Sequence, residues 1–142
     1  MATRFRGNEL SYRRHLSSIT SKKCCFCDFK SKPSEVVEEY DFFWVTINLF
    51  PYNVWENMGV DSHLMIVPKK HTRKMEDFSK KEIIQYMKIV SSYESRGYSI
   101  YSRSPNNKAK TIPHQHTHLI KTLPTKKSWI FYARKPYLLI TK

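Results

Sequence analysis

Residues 111–120, with the sequence TIPHQHTHLI, place three of the chain's six histidines at every second position. In an extended strand, side chains two residues apart lie on the same face, about 6.6 Å apart. His114, His116 and His118 would therefore share one face of a strand. Imidazole titrates near neutral pH and its two nitrogens can hold different partners, so such a row could bind a metal, transfer protons or attack an electrophile. The alternatives are a solvated edge strand or histidines held by hydrogen bonds in the core.

Other segments of the sequence are also predicted to form β-strands. Residues 41–50 (DFFWVTINLF) are rich in aromatic and β-branched residues, which favour strands. Their alternation places one set of side chains on one face and the other set on the opposite face: Phe43, Val45, Ile47 and Leu49 against Phe42, Trp44, Thr46 and Asn48. Residues 51–62 are predicted as a loop because Pro51 opens them and Gly59 follows. The remaining predicted strands are 63–67 (HLMIV), 98–103 (YSIYSR) and a pair of short strands around Pro136.

Residues 79–98 carry the clearest helical pattern. Ser79 and Glu82 have the spacing of a capping box, which satisfies backbone N–H groups left free in the first turn. Apolar residues then recur at helical spacing and are predicted to pack in the core, namely Ile83, Met87 and Val90. Gly97 is the predicted terminator. A second, short basic helix is predicted over residues 9–19.

These elements predict an α+β fold, with an antiparallel sheet of about five strands, one long helix and a short N-terminal helix. A length of 142 residues suits a single domain, 1–142. The sequence contains no stretch near the roughly 18 apolar residues of a membrane span, and its first residues lack an apolar signal-peptide core. We therefore expect a cytoplasmic protein with no membrane partner.

The net charge of +13 is concentrated at the two ends of the chain. Residues 1–32 contain eight lysines and arginines against two acids, and residues 119–142 contain six against none. We therefore distinguish a basic N-terminal extension, 1–22, and a basic C-terminal segment, 121–142. These ends could attract a polyanion, either a phosphorylated substrate or nucleic acid, or they could serve solubility alone.

The three cysteines lie together at Cys24, Cys25 and Cys27. A secreted disulfide scaffold would normally spread an even number along the chain, so reduced thiols or metal ligands fit better. The C-x-x-C spacing of Cys24 and Cys27 allows two thiolates to hold one Zn²⁺ at the tetrahedral angle. His71 and His114 are the best candidates for the other two ligands. A redox motif or a pair of buried thiols is the alternative, and we assign Cys25 no role.

Together these motifs resemble the zinc-binding type of the histidine-triad (HIT) family of nucleotide hydrolases and transferases. Members combine C-x-x-C, an Asn or Asp before a Pro, a strand ending in P-K-x-H, and H-x-H-x-H followed by two apolar residues. All four occur here in that order, as CCFC, NLFPYN, SHLMIVPKKH and HQHTHLI, between about Cys24 and Ile120. The resemblance implies a homodimer and a structural zinc ion, bound by Cys24, Cys27, His71 and His114.

The resemblance also implies a mechanism. The middle histidine, His116, would attack the α-phosphorus of a nucleotide and form a nucleotidyl-histidine intermediate, which water or another acceptor resolves. His118 would stabilise charge on the phosphoryl oxygens, and Thr111 would offer a hydroxyl to the phosphate or the leaving group. The implied nucleotide-binding residues are Asn48 at the ribose, Leu49 at the base and Lys110 beside Thr111.

The sequence departs from the family pattern in three places. Gln115 and Thr117 replace apolar residues between the histidines, which predicts a less buried back face of the strand. Residues 53–61 form a segment several residues longer than in compact members and could reshape the mouth of the substrate site. The Asn that commonly precedes the triad falls near Arg103, with Asn106 or Asn107 as substitutes if the loop is shifted.

We therefore expect a nucleotide phosphoanhydride or phosphoramidate hydrolase, or a related nucleotidyl transferase, that acts through His116. Related uridylyltransferases and dinucleoside-polyphosphate phosphorylases usually carry Gln at the third triad position, so His118 favours hydrolysis. One alternative is removal of AMP from adenylated nucleic-acid ends, which the basic ends motivate. The other is a zinc-stabilised nucleotide- or RNA-binding module with little turnover.

Overall fold

The computed structural model describes residues 2–18, 24–126, 128–131 and 138–141. Five antiparallel strands form the centre of the main sheet, and each pairs with its neighbour in the spatial order β2-β3-β5-β7-β6. In chain order they are β2 (Val36–Glu39), β3 (Phe43–Ile47), β5 (Met58–Pro68), β6 (Ser99–Ser102) and β7 (Thr117–Lys126). Two short strands, β1 (Ala2–Thr3) and β4 (Val54–Trp55), extend the sheet beside the start of β5.

The helices are α1 (Arg6–Ser18) and α2 (Lys80–Ser95), and short 3-10 helices span Pro33–Glu35 and Met75–Asp77. The predicted pair of short strands is present as a separate two-stranded antiparallel sheet of β8 (Ser128–Phe131) and β9 (Leu138–Thr141), and Pro136 itself lies outside the described residues. The predicted α+β fold, with an antiparallel sheet, a long helix and a short N-terminal helix, is confirmed. Within the described ranges, no helix combines the length and the hydrophobicity needed to cross a membrane.

The long helix α2 starts at the predicted capping box. The Ser79 Oγ accepts a hydrogen bond from the Glu82 N–H (3.4 Å), and Glu82 Oε2 accepts one from the Ser79 N–H (2.7 Å). The same carboxylate pairs with Lys70 Nζ at 2.7 Å, just beyond the end of β5. Glu82 and its ion pair with Lys70 lie on the side of α2 that faces the sheet.

The predicted core stripe of α2 is wrong for Ile83 and Met87, whereas Val90 is partly buried and packs against the core. Ile83 and Met87 are 46% and 54% exposed, whereas Ile89 and Tyr93 are 1% exposed. The buried residues pack on the sheet in one cluster with Phe43, Val45, Ile66, Phe78 and Leu119. Both sides of the helix carry apolar residues, and the buried side is the one that carries Glu82, Ile89 and Tyr93.

The two faces of the sheet bury different clusters. Phe43 and Val45 face α2, as their alternation predicts. Trp44 faces the other side, where it packs with Phe26, Phe29, Met65 and Val67. The strand β3 is shorter than the predicted 41–50, so Leu49 lies beyond it and is 50% exposed. The second face, covered by the turn around the cysteines, carries the candidate site.

The segment predicted as a loop over 51–62 is a β-hairpin instead. Glu56 and Asn57 have φ angles of 50° and 65°, which suit a two-residue turn whose twist matches that of the flanking strands β4 and β5. The hairpin also holds the start of the chain, because Ala2 and Thr3 pair with Trp55 and Val54. The additional residues of this segment therefore anchor the N-terminal strand.

The predicted basic extension, 1–22, is described only over residues 2–18. Its helix begins at Arg6 rather than at residue 9, since the Glu9 N–H already donates to the Phe5 carbonyl (3.0 Å). Residue 19 lies outside the described residues. In the predicted basic segment 121–142, residues 127, 132–137 and 142 also lie outside them.

Candidate functional site

The three histidines of the triad do not all lie in a strand. β7 begins at Thr117, so His114 and His116 precede it, because the Gln115 N–H donates to the Thr72 carbonyl (2.6 Å). The imidazoles of His116 and His118 are nevertheless neighbours, with ring centroids 5.0 Å apart and exposures of 8% and 6%. His114, which is fully buried, is directed to a different group of residues.

That group is a cluster of four potential metal ligands, Cys24, Cys27, His71 and His114, whose ligand atoms all lie within 4.8 Å of one another. The sulfur-to-nitrogen distances are 3.4 Å from Cys24 to His114, 3.2 Å from Cys27 to His71 and 3.5 Å from Cys27 to His114. Tetrahedral zinc with its usual bond lengths separates sulfur and nitrogen ligands by about 3.6 Å. The cluster therefore matches the size of a four-ligand zinc site.

The hydrogen bonds of the cluster also suit a metal. His114 Nε2 lies 2.9 Å from the Pro68 carbonyl oxygen and donates to it, which leaves the Nδ1 lone pair directed at the cysteines. Burial lowers the pKa of His114 to about 4, so its imidazole is neutral at pH 7. Loss of hydration, together with Cys24, raises the pKa of Cys27 to about 11, so a metal would have to displace a proton from its thiol.

Beside the cluster lies a cavity of about 350 Å³. His116 and His118 form part of its wall. The other lining residues that the sequence singled out are Asn48, Leu49, Arg103, Lys110 and Thr111. Asn106 and Asn107 are exposed and do not line the cavity, whereas Arg103 at the start of this loop does.

His116 is held in one tautomer. Its Nδ1 lies 2.8 Å from the carbonyl oxygen of His114, which can only accept, so Nδ1 carries the proton. Nε2 then carries the lone pair. Burial lowers the pKa of His116, and Lys110 and Arg103 lower it further, so the imidazole is neutral at pH 7.

A fourth histidine, His63, fixes the opposite tautomer in His118. The Tyr52 backbone N–H can only donate, and it donates to His63 Nδ1 at 3.1 Å, so His63 Nε2 carries the proton. This nitrogen lies 2.9 Å from His118 Nδ1 and donates to it, which leaves the proton of His118 on Nε2. Burial lowers the pKa of His63 to about 3 and that of His118 well below its usual value. His116 and His118 therefore offer opposite functions, one nitrogen lone pair and one N–H donor.

The sequence analysis missed His63. It lies two residues before Met65 on β5, and Met65 pairs with His118 on β7. The strand alternation of SHLMIV would place it on the face of Met65, but only the register between β5 and β7 brings it to the triad.

The predicted nucleotide-binding residues are already engaged with neighbours. Asn48 Oδ1 accepts a hydrogen bond from the Phe50 N–H (3.0 Å). Lys110 Nζ donates to Gln115 Oε1 at 2.7 Å and to the Arg73 carbonyl at 3.2 Å. The Thr111 hydroxyl is hydrogen-bonded to the Tyr12 hydroxyl.

The back face expected to be less buried is in fact buried, with Gln115 at 3% and Thr117 at 1% exposure. Their polar groups find partners there. Gln115 Nε2 donates to Ser102 Oγ (2.8 Å), and Thr117 Oγ1 is hydrogen-bonded to the Tyr86 hydroxyl (2.9 Å). Gln115 and Thr117 can therefore stand in place of apolar residues, because the hydrogen bonds above satisfy their buried polar groups.

The N-terminal extension also contributes to the cavity. Arg4, Tyr12 and His15 line it, beside Phe50. Nothing in the residues near the motifs indicates this contribution, because it depends on the pairing of β1 with β4. Cys25, to which we assigned no role, lines the cavity as well.

Solved structures of similar fold are histidine-triad proteins. A HIT family hydrolase from Clostridium thermocellum aligns with a TM-score of 0.55 at 18% identity, over 75% of this chain and 96% of that one. A histidine triad protein from Clostridium difficile aligns with a TM-score of 0.52 at 23% identity, over 77% of this chain and 100% of the other. A hypothetical histidine triad nucleotide-binding protein from Sulfolobus tokodaii gives 0.55 at 19% identity, over 72% and 71% of the two chains. Protein-family models give no match, and neither do curated proteins. These likenesses show a HIT-like fold.

Proposed function

We propose that this chain is a member of the HIT family and an enzyme that cleaves nucleotide phosphoanhydrides or phosphoramidates through a nucleotidyl intermediate on His116. The observation that carries this proposal is the opposite tautomers of His116 and His118, side by side in one cavity. A nucleophile and a hydrogen-bond donor at neighbouring positions are what attack on a phosphorus atom requires.

In this mechanism, His116 Nε2 attacks the α-phosphorus and forms an N–P bond, while the bond to the leaving group breaks. The carbonyl oxygen of His114 accepts a hydrogen bond from the Nδ1–H of His116 and stabilises the positive charge that develops on the His116 ring. The Nε2–H of His118 donates to a phosphoryl oxygen, and the chain from Tyr52 through His63 keeps this proton in place. Water, or another acceptor, then attacks the phosphorus and loses its proton to solvent, while the N–P bond breaks and its electron pair returns to His116 Nε2.

The other cavity residues bind the rest of the nucleotide. We assign Asn48 to the ribose hydroxyls and Leu49, half exposed at the cavity, to the base. Thr111 and Lys110 lie ahead of the triad, where the hydroxyl and the ammonium can approach the phosphate or the leaving group. Both are already oriented, by Tyr12 and by Gln115, so less rotational freedom is lost on binding.

We also propose that Cys24, Cys27, His71 and His114 hold a structural zinc ion. A zinc ion bound there would supply folding stability rather than chemistry, because the four protein ligands fill a tetrahedral shell. The site is joined to the catalytic residue through His114, whose side chain belongs to the cluster and whose carbonyl holds His116. Fixing His114 therefore also fixes the nucleophile.

A homodimer is supported by the exposed side of α2. Ile83, Ile84 and Met87 are 46%, 58% and 54% exposed, and they lie together on one helix surface. An apolar helix surface of this kind favours contact with another copy of the chain. We propose that α2 forms part of a dimer interface.

The test is a turnover screen of the purified chain with a dinucleoside polyphosphate and a nucleoside phosphoramidate. His116→Ala should abolish turnover while the melting temperature stays near that of the wild type. His118→Gln should reduce turnover less, because it removes a donor and leaves the nucleophile. Activity of His116→Ala near the wild-type rate would contradict the mechanism, and so would the absence of turnover by the wild type on every nucleotide tested.

A further inference from the structure

Two arginines from distant parts of the sequence reach the cavity at the same tyrosine. Arg103, directly after β6, donates from Nη2 to the Tyr52 hydroxyl at 3.0 Å, and its Cζ lies 5.4 Å from the centre of the Tyr101 ring. Arg4, directly after β1, has its Cζ 4.6 Å from the centre of the Tyr52 ring. The two guanidinium groups therefore flank one aromatic side chain.

Arg4 is held firmly in this position. Its Nε donates to the Phe50 carbonyl at 2.9 Å, its Cζ lies 4.2 Å from the centre of the Tyr12 ring, and its side chain is 13% exposed. The segments that carry it there are the N-terminal extension and the hairpin of β4 and β5, which pair through β1. The N-terminal extension and the longer segment that forms the hairpin lie outside the motifs that carry the family resemblance. Together they place the guanidinium group of Arg4 in the cavity.

Few negative charges balance these cations. Glu9 is the carboxylate nearest Arg4, at 3.7 Å, and it is shared with Arg13 at 2.9 Å. Among the described residues, Arg103 has no carboxylate partner. The undescribed segments cannot supply an Asp or Glu, because all twelve acids of the sequence fall within the described ranges. A pair of partly buried guanidinium groups with so little compensation is suited to bind an anion.

The pair lies on the His118 side of the triad. The centre of the Tyr52 ring is 5.9 Å from that of His118, and the Tyr101 ring stacks on His118 at 6.0 Å. The opposite side of the triad is occupied by Phe26, which contacts His114 and His116, and by the metal-ligand cluster. Both arginines also lower the pKa of His118, which places their charge close to the reacting groups. An anion bound by them would lie next to a phosphate held at His116 and His118.

We propose that Arg4 and Arg103 form a subsite for a second phosphate group, so that the substrate of this enzyme carries at least two phosphates. The inference rests on the proposed function only for the position of the first phosphate, at His116. The second phosphate is either the next one along a polyphosphate chain, on the leaving-group side, or a phosphate on the ribose. Both sources offer the same chemistry to the two guanidinium groups.

The test is calorimetric titration of the full chain with inorganic phosphate and with pyrophosphate, which need no base. The variants are Arg4→Gln and Arg103→Gln, and the matched control is Arg14→Gln, an exposed residue of α1. Each subsite variant should weaken pyrophosphate binding about tenfold, which corresponds to about 1.4 kcal/mol, and change phosphate binding less than about twofold. The control should leave both affinities unchanged.

Two nucleotide pairs separate the sources of the second phosphate. If the second phosphate lies on the leaving-group side, the variants should weaken the binding of ADP more than that of AMP. If it lies on the ribose, they should weaken the binding of adenosine 3′,5′-bisphosphate more than that of AMP. Arg103→Lys keeps the charge but loses the forked donor, so it should bind pyrophosphate more tightly than Arg103→Gln does. Because this comparison does not involve Arg4, it tests the subsite even if Arg4→Gln misfolds.

Three results would overturn the subsite. They are an unchanged pyrophosphate affinity in both variants, an equal loss of affinity for phosphate and pyrophosphate, and an equal loss of affinity in Arg14→Gln. The second would place the arginines at the attacked phosphate, and the third would reduce the effect to net charge. Since binding is measured without turnover, these results are independent of whether His116 forms an intermediate.

Discussion

The buried histidine His63 should make the stability of this protein depend on pH in a way that one substitution can isolate. Its pKa is lowered to about 3 by burial, with smaller contributions from Arg4 and His116. In the unfolded chain it should return to about 6.5. Because the unfolded form binds the proton more readily, the stabilisation is complete above about pH 6.5 and is lost as the pH falls toward 3.

The expected size of the effect follows from these two pKa values. Between pH 7 and pH 5, the unfolded state gains about 0.7 proton at this residue and the folded state gains almost none, which lowers the free energy of unfolding by about 2 kcal/mol. His63→Gln removes this contribution. At pH 7 the variant should itself be less stable, by about 1–3 kcal/mol, because the buried Tyr52 N–H loses its acceptor.

The assay is urea unfolding of the wild type and the variant at pH 7 and at pH 5. The wild type should lose about 2 kcal/mol more than His63→Gln over this interval. Ile89→Val is the matched control, since it removes a buried methyl group, costs about 1 kcal/mol and takes away no titrating group, so its loss should equal that of the wild type. Equal losses in the wild type and His63→Gln would refute the neutral, buried state of His63 and, with it, the tautomer assigned to His118.

Three further predictions concern the metal, the dimer and the basic ends. The chain purified without added metal should contain about one zinc ion, and Cys24→Ser should lose it and melt at a lower temperature, whereas Cys25→Ser in the same turn should keep it; equal zinc content in both variants would contradict the site. In analytical ultracentrifugation, Ile83→Glu should convert a dimer to a monomer, and Lys88→Glu, an exposed control on the same helix, should leave the dimer intact. A wild-type chain that is itself a monomer would contradict the proposed dimer interface. If the N-terminal charge binds nucleic acid, the affinity for an oligonucleotide should fall steeply as salt rises from about 50 to 200 mM. Joint neutralisation of Arg6, Arg13 and Arg14, which lie outside the cavity, should weaken that affinity without loss of nucleotide turnover. If neither change has an effect, solubility is the explanation of the charge.

Local patterns were sufficient where a short stretch decides the geometry. The S-x-x-E spacing fixes the start of α2, since Ser79 and Glu82 satisfy each other's backbone N–H groups. Period-two alternation explains why His116 and His118 share a cavity while Thr117 turns to Tyr86. The ligand cluster also formed around the four residues expected, although its members are separated by long stretches of chain. There the resemblance supplied what spacing alone could not.

Features that depend on contacts between distant segments of the chain could not be predicted from the sequence. Both sides of α2 carry apolar residues, and only its packing on the sheet shows that the side of Ile89 and Tyr93 is the buried one. His63 reaches His118 only because β5 and β7 pair in one register. Arg4 reaches the cavity only because the segment predicted as a loop is a hairpin that pairs with β1. Each of these contacts joins segments whose separate sequences carry no sign of the other.

The most direct test of the central claim is to trap the intermediate. The enzyme is mixed with excess nucleotide substrate, unfolded within milliseconds and digested, and the peptide containing residues 111–120 is analysed by mass spectrometry under conditions that preserve phosphoramidates. We expect a mass increase of one nucleotidyl group on His116, formed at a rate no slower than turnover and absent from His116→Ala. Turnover by the wild type with no adduct, or an adduct on another histidine, would contradict the account.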